Sequence, residues 1–148
     1  MTLNVRRVIT ANDEQGKAVV AIDDIASNFR ANRPGVNSVL IWTTDTHPPD
    51  VTSTRDLGST VVGRPPERGG TIFRIIEFQP GNASEMHVTQ TIDYALVMSG
   101  ELDMALDDGV EVHLQQGDVL VQRATIHDWI NRGIEPCVMA FVLIDVQP

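Results

Sequence analysis

The sequence predicts an all-β protein, a barrel or sandwich of short strands. Three observations predict it. Short apolar or alternating segments recur along the 148 residues. Clusters of Gly, Asn, Asp and Pro separate them. No stretch carries the 3.6-residue periodicity of a long helix.

The elements follow in order. Residues 4–11 (NVRRVITA) and 17–22 (KAVVAI) flank the turn Asp13-Glu14-Gln15-Gly16 and predict an N-terminal hairpin. Residues 23–29 predict a short helical turn, and Asn32-Arg33-Pro34-Gly35 breaks the chain. Residues 38–44 (SVLIWTT) are a strand candidate. A polar stretch at 45–70 follows, with Pro48, Pro49, Pro65 and Pro66. Such a long connection reads as a functional lid or mobile segment, or equally as a surface excursion or dimer contact. Regular strands resume at 71–78 (TIFRIIEF), 93–98 and 101–106. The turn Asp107-Asp108-Gly109 leads into 110–114, and Gln116-Gly117-Asp118 into 119–122. Residues 127–131 and a final run at 138–146 close the chain. One domain is expected, with 1–70 contributing strands and a loop to a barrel core at 71–148.

Composition narrows the function classes. The net charge of -9 opposes binding to a phosphate backbone, so no nucleic-acid partner is expected. No apolar run is long enough to span a bilayer, and the N-terminus lacks the apolar core of a secretory signal. Cys137 is the one cysteine, which excludes an internal disulfide and points to a reducing, cytoplasmic setting.

Two stretches carry the chemistry, 81–100 (GNASEMHVTQTIDYALVMSG) and 117–131 (GDVLVQRATIHDWIN). Residues two apart share a strand face, so His87 goes with Thr89, Asp93 with Ala95 and Val97, and His127 with Trp129 and Asn131. The two stretches are expected to meet across the barrel and define its interior site. Two His and one carboxylate have the composition of a site for Fe, Mn, Zn or Ni with positions left open. Without metal, an Asp–His pair still transfers protons. Asp93 has a further reading as a buried carboxylate bonded to Tyr94 or a His. Trp129 is expected to stack on a flat or apolar substrate, or to pack in the core. Arg74 and Glu77 point to opposite strand faces. The inward one would orient a polar substrate, Arg74 suiting a carboxylate, and the other would be a solvated edge charge. Thr89 reads as a spacer or a holder of water. Tyr94 and Gln122 are peripheral candidates. His47 reads as a solvent-exposed residue or a lid-borne replacement ligand, and His113 as a surface residue.

These stretches resemble the paired motifs of the cupin superfamily. Gly81, His87, Asp93 and Gly100 fall at the first motif's spacing, and Gly117, His127 and Asn131 answer to the second. The resemblance covers roughly the last half of the chain. It implies a double-stranded β-helix (a jelly-roll barrel, here with the hairpin as an N-terminal extension), a homodimer, and a metal at the barrel mouth. It also implies His87, Asp93 and His127 as the surviving ligands. Thr89 stands where the pattern has a second His, and Asp93 where it has Glu. Arg123 replaces Pro, and the second motif is one residue short before His127. The expected function is metal-dependent lyase, isomerase or decarboxylase chemistry on a small molecule. The alternatives are an Fe(II) dioxygenase, a metal-free acid–base enzyme with Asp93 and His127 or His87, and a non-catalytic ligand-binding barrel.

Overall fold

The structure is a computed structural model that describes residues 3–147. Its strands are β1 (Arg6–Asn12), β2 (Ala18–Ile25), β3 (Asn28–Arg33), β4 (Val36–Thr44), β5 (Thr71–Phe78) and β6 (Thr91–Ser99). They continue with β7 (Glu101–Ala105), β8 (Glu111–Gln115), β9 (Val119–Arg123), β10 (Asp128–Ile130) and β11 (Cys137–Asp145). The all-β expectation holds, and β1 and β2 pair only with each other as the expected N-terminal hairpin.

The helical turn expected at 23–29 is replaced by extended chain, in which β2 runs to Ile25 and β3 starts at Asn28. A single helical turn leaves most of its backbone groups open. The extended chain pairs instead: the Ala26 N–H donates to the Val5 carbonyl at 2.8 Å, and β3 pairs with β4. Gly35 turns β3 into β4 at φ 77°, where a Cβ would sit 2.8 Å from the Asn82 backbone. That contact brings the first motif against the β3–β4 turn.

β3, β4, β5, β11, β6 and β9 form a six-stranded antiparallel sheet in that order, and β10, β7 and β8 form a three-stranded one. The main core draws Val36, Ile72, Phe78, Val97, Met139, Phe141 and Leu143 from the first sheet and Leu102, Met104, Leu114 and Trp129 from the second. Gly100 carries the chain from β6 to β7 at φ 76°, with no room for a Cβ beside the Pro136 carbonyl.

Register decides which side chains reach the interior. The inner wall contains the row Leu40, Arg74, Phe141, Ala95, Leu120 and a neighbouring row Thr43, Ile72, Leu143, Asp93, Gln122. Because side chains alternate, the row between them faces out: Trp42, Phe73, Val142, Tyr94, Val121. Part of the outer face is covered, since Leu3 and Ala26 pack on Val39, Ile41 and Ile75. Arg7 ties this N-terminal layer down. It forks onto Asp24 at 2.8 Å and Asp56 at 2.6 Å and also reaches the Ile41 carbonyl.

Candidate functional site

The two motif stretches meet directly. His87 and His127 exchange backbone hydrogen bonds, each N–H donating to the other's carbonyl at 2.9 Å. This pairing is an isolated antiparallel bridge, so other bonds must hold it in place. Asn82 supplies some of them, donating from Nδ2 to the Trp129 carbonyl and accepting from the Asn131 N–H, both at 2.8 Å. Asn131 donates to the carbonyls of Phe78 and Glu135. Asp128 supplies more. Its buried carboxylate accepts from the Ser84 hydroxyl, the Glu85 N–H at 3.0 Å and the Trp129 N–H at 2.8 Å, with the Arg33 guanidinium 3.6 Å away. Burial opposes its charge, but these donors outweigh burial and hold it below the ordinary carboxylate range.

The imidazoles are oriented by the same logic. The rings lie edge to face with centroids 4.5 Å apart. His87 Nδ1 is 2.7 Å from the Glu85 carbonyl, and His127 Nδ1 is 2.8 Å from the Thr125 carbonyl. A carbonyl oxygen can only accept, so each Nδ1 carries the proton and each Nε2 is released from that bond. His127 is 4% exposed. Burial pushes its pKa below the ordinary value, the bond to Thr125 pulls it back up, and the charge of His87 adds to the lowering. His127 is therefore a neutral imidazole with a basic Nε2.

Both imidazoles line a cavity of about 110 Å³ together with Arg74, Thr89, Asp93, Trp129, Phe78 and Phe141. Trp129 meets aromatic rings edge to face, with centroids 5.2 Å from His127 and 5.4 Å from Phe141, so its indole belongs to both core and cavity wall. Asp93 accepts from the Thr91 hydroxyl at 2.6 Å, which in turn lies 2.9 Å from the Thr89 hydroxyl. The Thr91 proton is committed to Asp93, so Thr89 donates to Thr91 and turns its lone pairs elsewhere. Burial raises the Asp93 carboxyl above its ordinary value, and Thr91, Arg74 and His87 offset part of that. Arg74, 7% exposed, donates to the Gly63 carbonyl at 3.0 Å. Burial above all, with Arg30 and Arg64 nearby and Asp93 opposing, brings its pKa down to about 10, so it is a cation at neutral pH.

Several expectations need correction. Tyr94 does not face the cavity. It lies in the outward row, 50% exposed, because it follows inward-facing Asp93 on the same strand. The Asp93 partner is accordingly Thr91, not Tyr94. Glu77 is not a solvated edge charge: it is buried on the outward side of β5 and accepts from the Gln79 amide. His47 is exposed, as the first of its two readings has it, and it is not among the cavity residues. The three-ligand set is not assembled. Among the described residues, no group of three His, Cys, Asp or Glu side chains is disposed to hold a metal ion. His87 and His127 are paired, but Asp93 is one methylene shorter than Glu and is held by the Thr91 hydroxyl. The residues present do not fit a three-ligand metal centre.

Sequence reasoning missed Arg30, Arg33 and Arg64, which line the cavity, and Asp128, which positions the bridge. Asp128 was readable only as the neighbour of His127. Arg30 and Arg33 come from β3, which spans the gap between the expected turn and break, and Arg64 comes from the 45–70 loop. That loop is anchored by bonds from Asn28, Arg30 and Arg74 to its carbonyls.

A six-stranded and a three-stranded sheet with a cavity between them define a double-stranded β-helix with an interior site. The chain belongs to the cupin family: residues 74–144 match the Cupin_2 cupin domain. It is 34% identical over 148 residues to the cupin-domain-containing oxidoreductase srdD of Neurospora crassa, an alignment covering 95% of this chain and 75% of that one. It is 35% identical over 147 residues to the cupin-domain-containing oxidoreductase fogC of Aspergillus ruber, covering 95% and 72%. In structure it is similar to the polyketide cyclase RemF of Streptomyces resistomycificus. There the TM-score is 0.54 at 14% identity over 80% of this chain and 72% of that one, a likeness of fold alone. Among the described residues no helix is long and apolar enough to cross a membrane.

Proposed function

We propose that this cupin is an enzyme that moves a proton on a small organic molecule bound in the barrel cavity, in the manner of a lyase or isomerase. The observation that carries the reading is the pair of imidazoles with Nδ1 tied to backbone carbonyls. His127, held neutral by burial, is the base through Nε2. His87, whose ring lies against that of His127, takes up or returns a proton at its own Nε2. Asp93 provides the carboxylate that balances charge when an imidazole is protonated. Trp129 offers a flat wall, and Thr89 and Arg74 offer polar contacts.

The test is hydrogen exchange. Carbonyl compounds are incubated with the protein in D2O, and loss of the acidic C–H signal is followed by NMR. His127→Gln is expected to lower the exchange rate about 100-fold or more, the usual size of a general-base contribution. The acid limb of the wild-type profile should lie below the ordinary His value, because the folded pKa is depressed. An unchanged rate in folded His127→Gln sinks the reading.

The names of the two fungal relatives favour a second reading, oxidoreductase chemistry. It is distinguished by elemental analysis of untagged protein. Near-stoichiometric Fe or Mn, lost in both His87→Gln and His127→Gln, together with a product changed in oxidation state, would favour it over proton transfer. We place the enzyme in the cytoplasm, as a homodimer formed through the charge-free outer row around Tyr94.

A further inference from the structure

The chain carries a net charge of -9, yet four of its eleven Lys and Arg residues line this one cavity. They are Arg30 and Arg33 of β3, Arg64 of the loop and Arg74 of β5. Asp93 is the one Asp or Glu among the lining residues. Part of the positive charge is matched elsewhere: Arg64 pairs with Glu85 at 3.1 Å and Arg33 approaches Asp128 at 3.6 Å. Arg30 and Arg74 are bonded to backbone carbonyls, which satisfy hydrogens without cancelling charge. Arg33 Nη2 is buried and has no hydrogen-bond partner at all. A buried guanidinium donor left without a hydrogen bond is costly, and the cost is relieved when a bound anion accepts from it.

The arginines are graded by depth. Arg30 and Arg64 are exposed at the rim, Arg33 is largely buried, and Arg74 is buried. Rim charges of one sign around a low-dielectric cavity draw in the opposite charge and speed its arrival. A guanidinium fork at the end of that path fits the two oxygens of a carboxylate. Beside it, Trp129, Phe78 and Phe141 supply flat apolar wall.

From this we infer that the cavity selects a small carboxylate with a flat apolar body, its anionic end held by Arg74 and its body against Trp129. The inference rests on the reading that this cavity is the substrate site, and it specifies the class of molecule that enters. Arg33 adds an open donor, and Arg30 and Arg64 act as the collecting rim.

Benzoate and benzamide are matched probes, alike in shape and different in charge. Binding to the full chain is measured by tryptophan fluorescence and by calorimetry. Benzoate is expected to bind at least ten times more tightly than benzamide, with an affinity that falls as salt rises. Arg74→Gln is expected to lose that preference and Arg74→Lys to keep part of it, with circular dichroism verifying that both are folded. Arg30→Gln at the rim should slow benzoate association and weaken its salt dependence. Inorganic phosphate competing as well as benzoate would show a general anion site and overturn the carboxylate assignment. Equal binding of benzamide and benzoate, or a preference unchanged in Arg74→Gln, overturns the inference outright. Because binding is read without turnover, these results leave the proton-transfer reading standing. Conversely, unchanged exchange in His127→Gln sinks that reading and leaves the anion seat intact.

Discussion

Replacing Asp128 with Ala should be among the most damaging single changes outside the apolar core, and the structure sets its size. The carboxylate is 1% exposed and serves three donors besides Arg33. Its removal strands the N–H groups of Glu85 and Trp129 and leaves the Arg33 guanidinium, already one donor short, without its counter-charge. Breaking a buried ion pair from one side costs about 3–5 kcal/mol. With a urea slope of about 2 kcal/mol per molar, the unfolding midpoint should fall by about 2 M. Asp128→Asn keeps an oxygen for the backbone donors and loses only the charge, so about half that drop is expected. The charge component is isolated by adding Arg33→Met, which removes the stranded cation and should restore about 1 kcal/mol or more. The sign with pH follows from the depressed carboxyl. Its stabilisation is present above the ordinary carboxylate value and is lost as pH falls through the folded one. A midpoint change below about 0.5 M in Asp128→Ala, about 1 kcal/mol at that slope, would refute the reasoning. Strict additivity with Arg33→Met would refute its electrostatic half.

Two further outcomes are expected. Arg7 holds Asp56 down to about 2, so their pairing stabilises the fold above the ordinary Asp value and is lost as pH drops toward 2. The full depression corresponds to about 2 kcal/mol, and solvent screening of the partly exposed pair reduces it to about 1 kcal/mol. Acid titrations of wild type and Asp56→Asn should therefore converge near pH 2, and curves that stay parallel would count against the linkage. The outer row of Trp42, Phe73, Val142, Tyr94 and Val121 holds no charged residue and extends to exposed Leu96 and Val119. A second copy of the chain is its expected occupant, since monomers seldom leave so continuous an apolar patch open. Light scattering should give twice the chain mass for wild type and the single mass for Tyr94→Arg with Val121→Asp. A monomeric wild type refutes the assignment.

The strand ladder from Thr71 onward was legible because each strand there alternates or is bounded by turn residues. The meeting of His87 and His127 was legible from the resemblance to the paired cupin motifs, since the period of two relates only residues of one strand. β3 was not legible. NFRANR has no apolar alternation, and it becomes a strand by pairing with β4, which is a tertiary fact. The cationic wall was hidden with it, because Arg33 looked like part of a break and Arg30 fell between the expected turn and that break. Arg64 lay in a loop whose path is set by bonds from other strands. Tyr94 was misassigned although the alternation that placed Asp93 inside already placed Tyr94 outside. Face parity, applied consistently, would have removed it.

The altered first motif acquires a physical meaning from these contacts. At the position of the pattern's second His stands Thr89, and it feeds a hydroxyl chain through Thr91 to Asp93. The carboxylate that the resemblance assigned to a ligand set is thus engaged along its own strand edge. His87 and His127 are oriented by their own carbonyl bonds, and their backbone bridge is braced by Asn82 and Asp128. The imidazole pair therefore needs no third ligand to hold its geometry. Among the neighbouring arginines, Arg30 and Arg74 are bonded to backbone carbonyls, and Asp93, raised by burial, balances their charge only in part. A barrel arranged in this way is preorganised for a substrate that supplies its own negative charge.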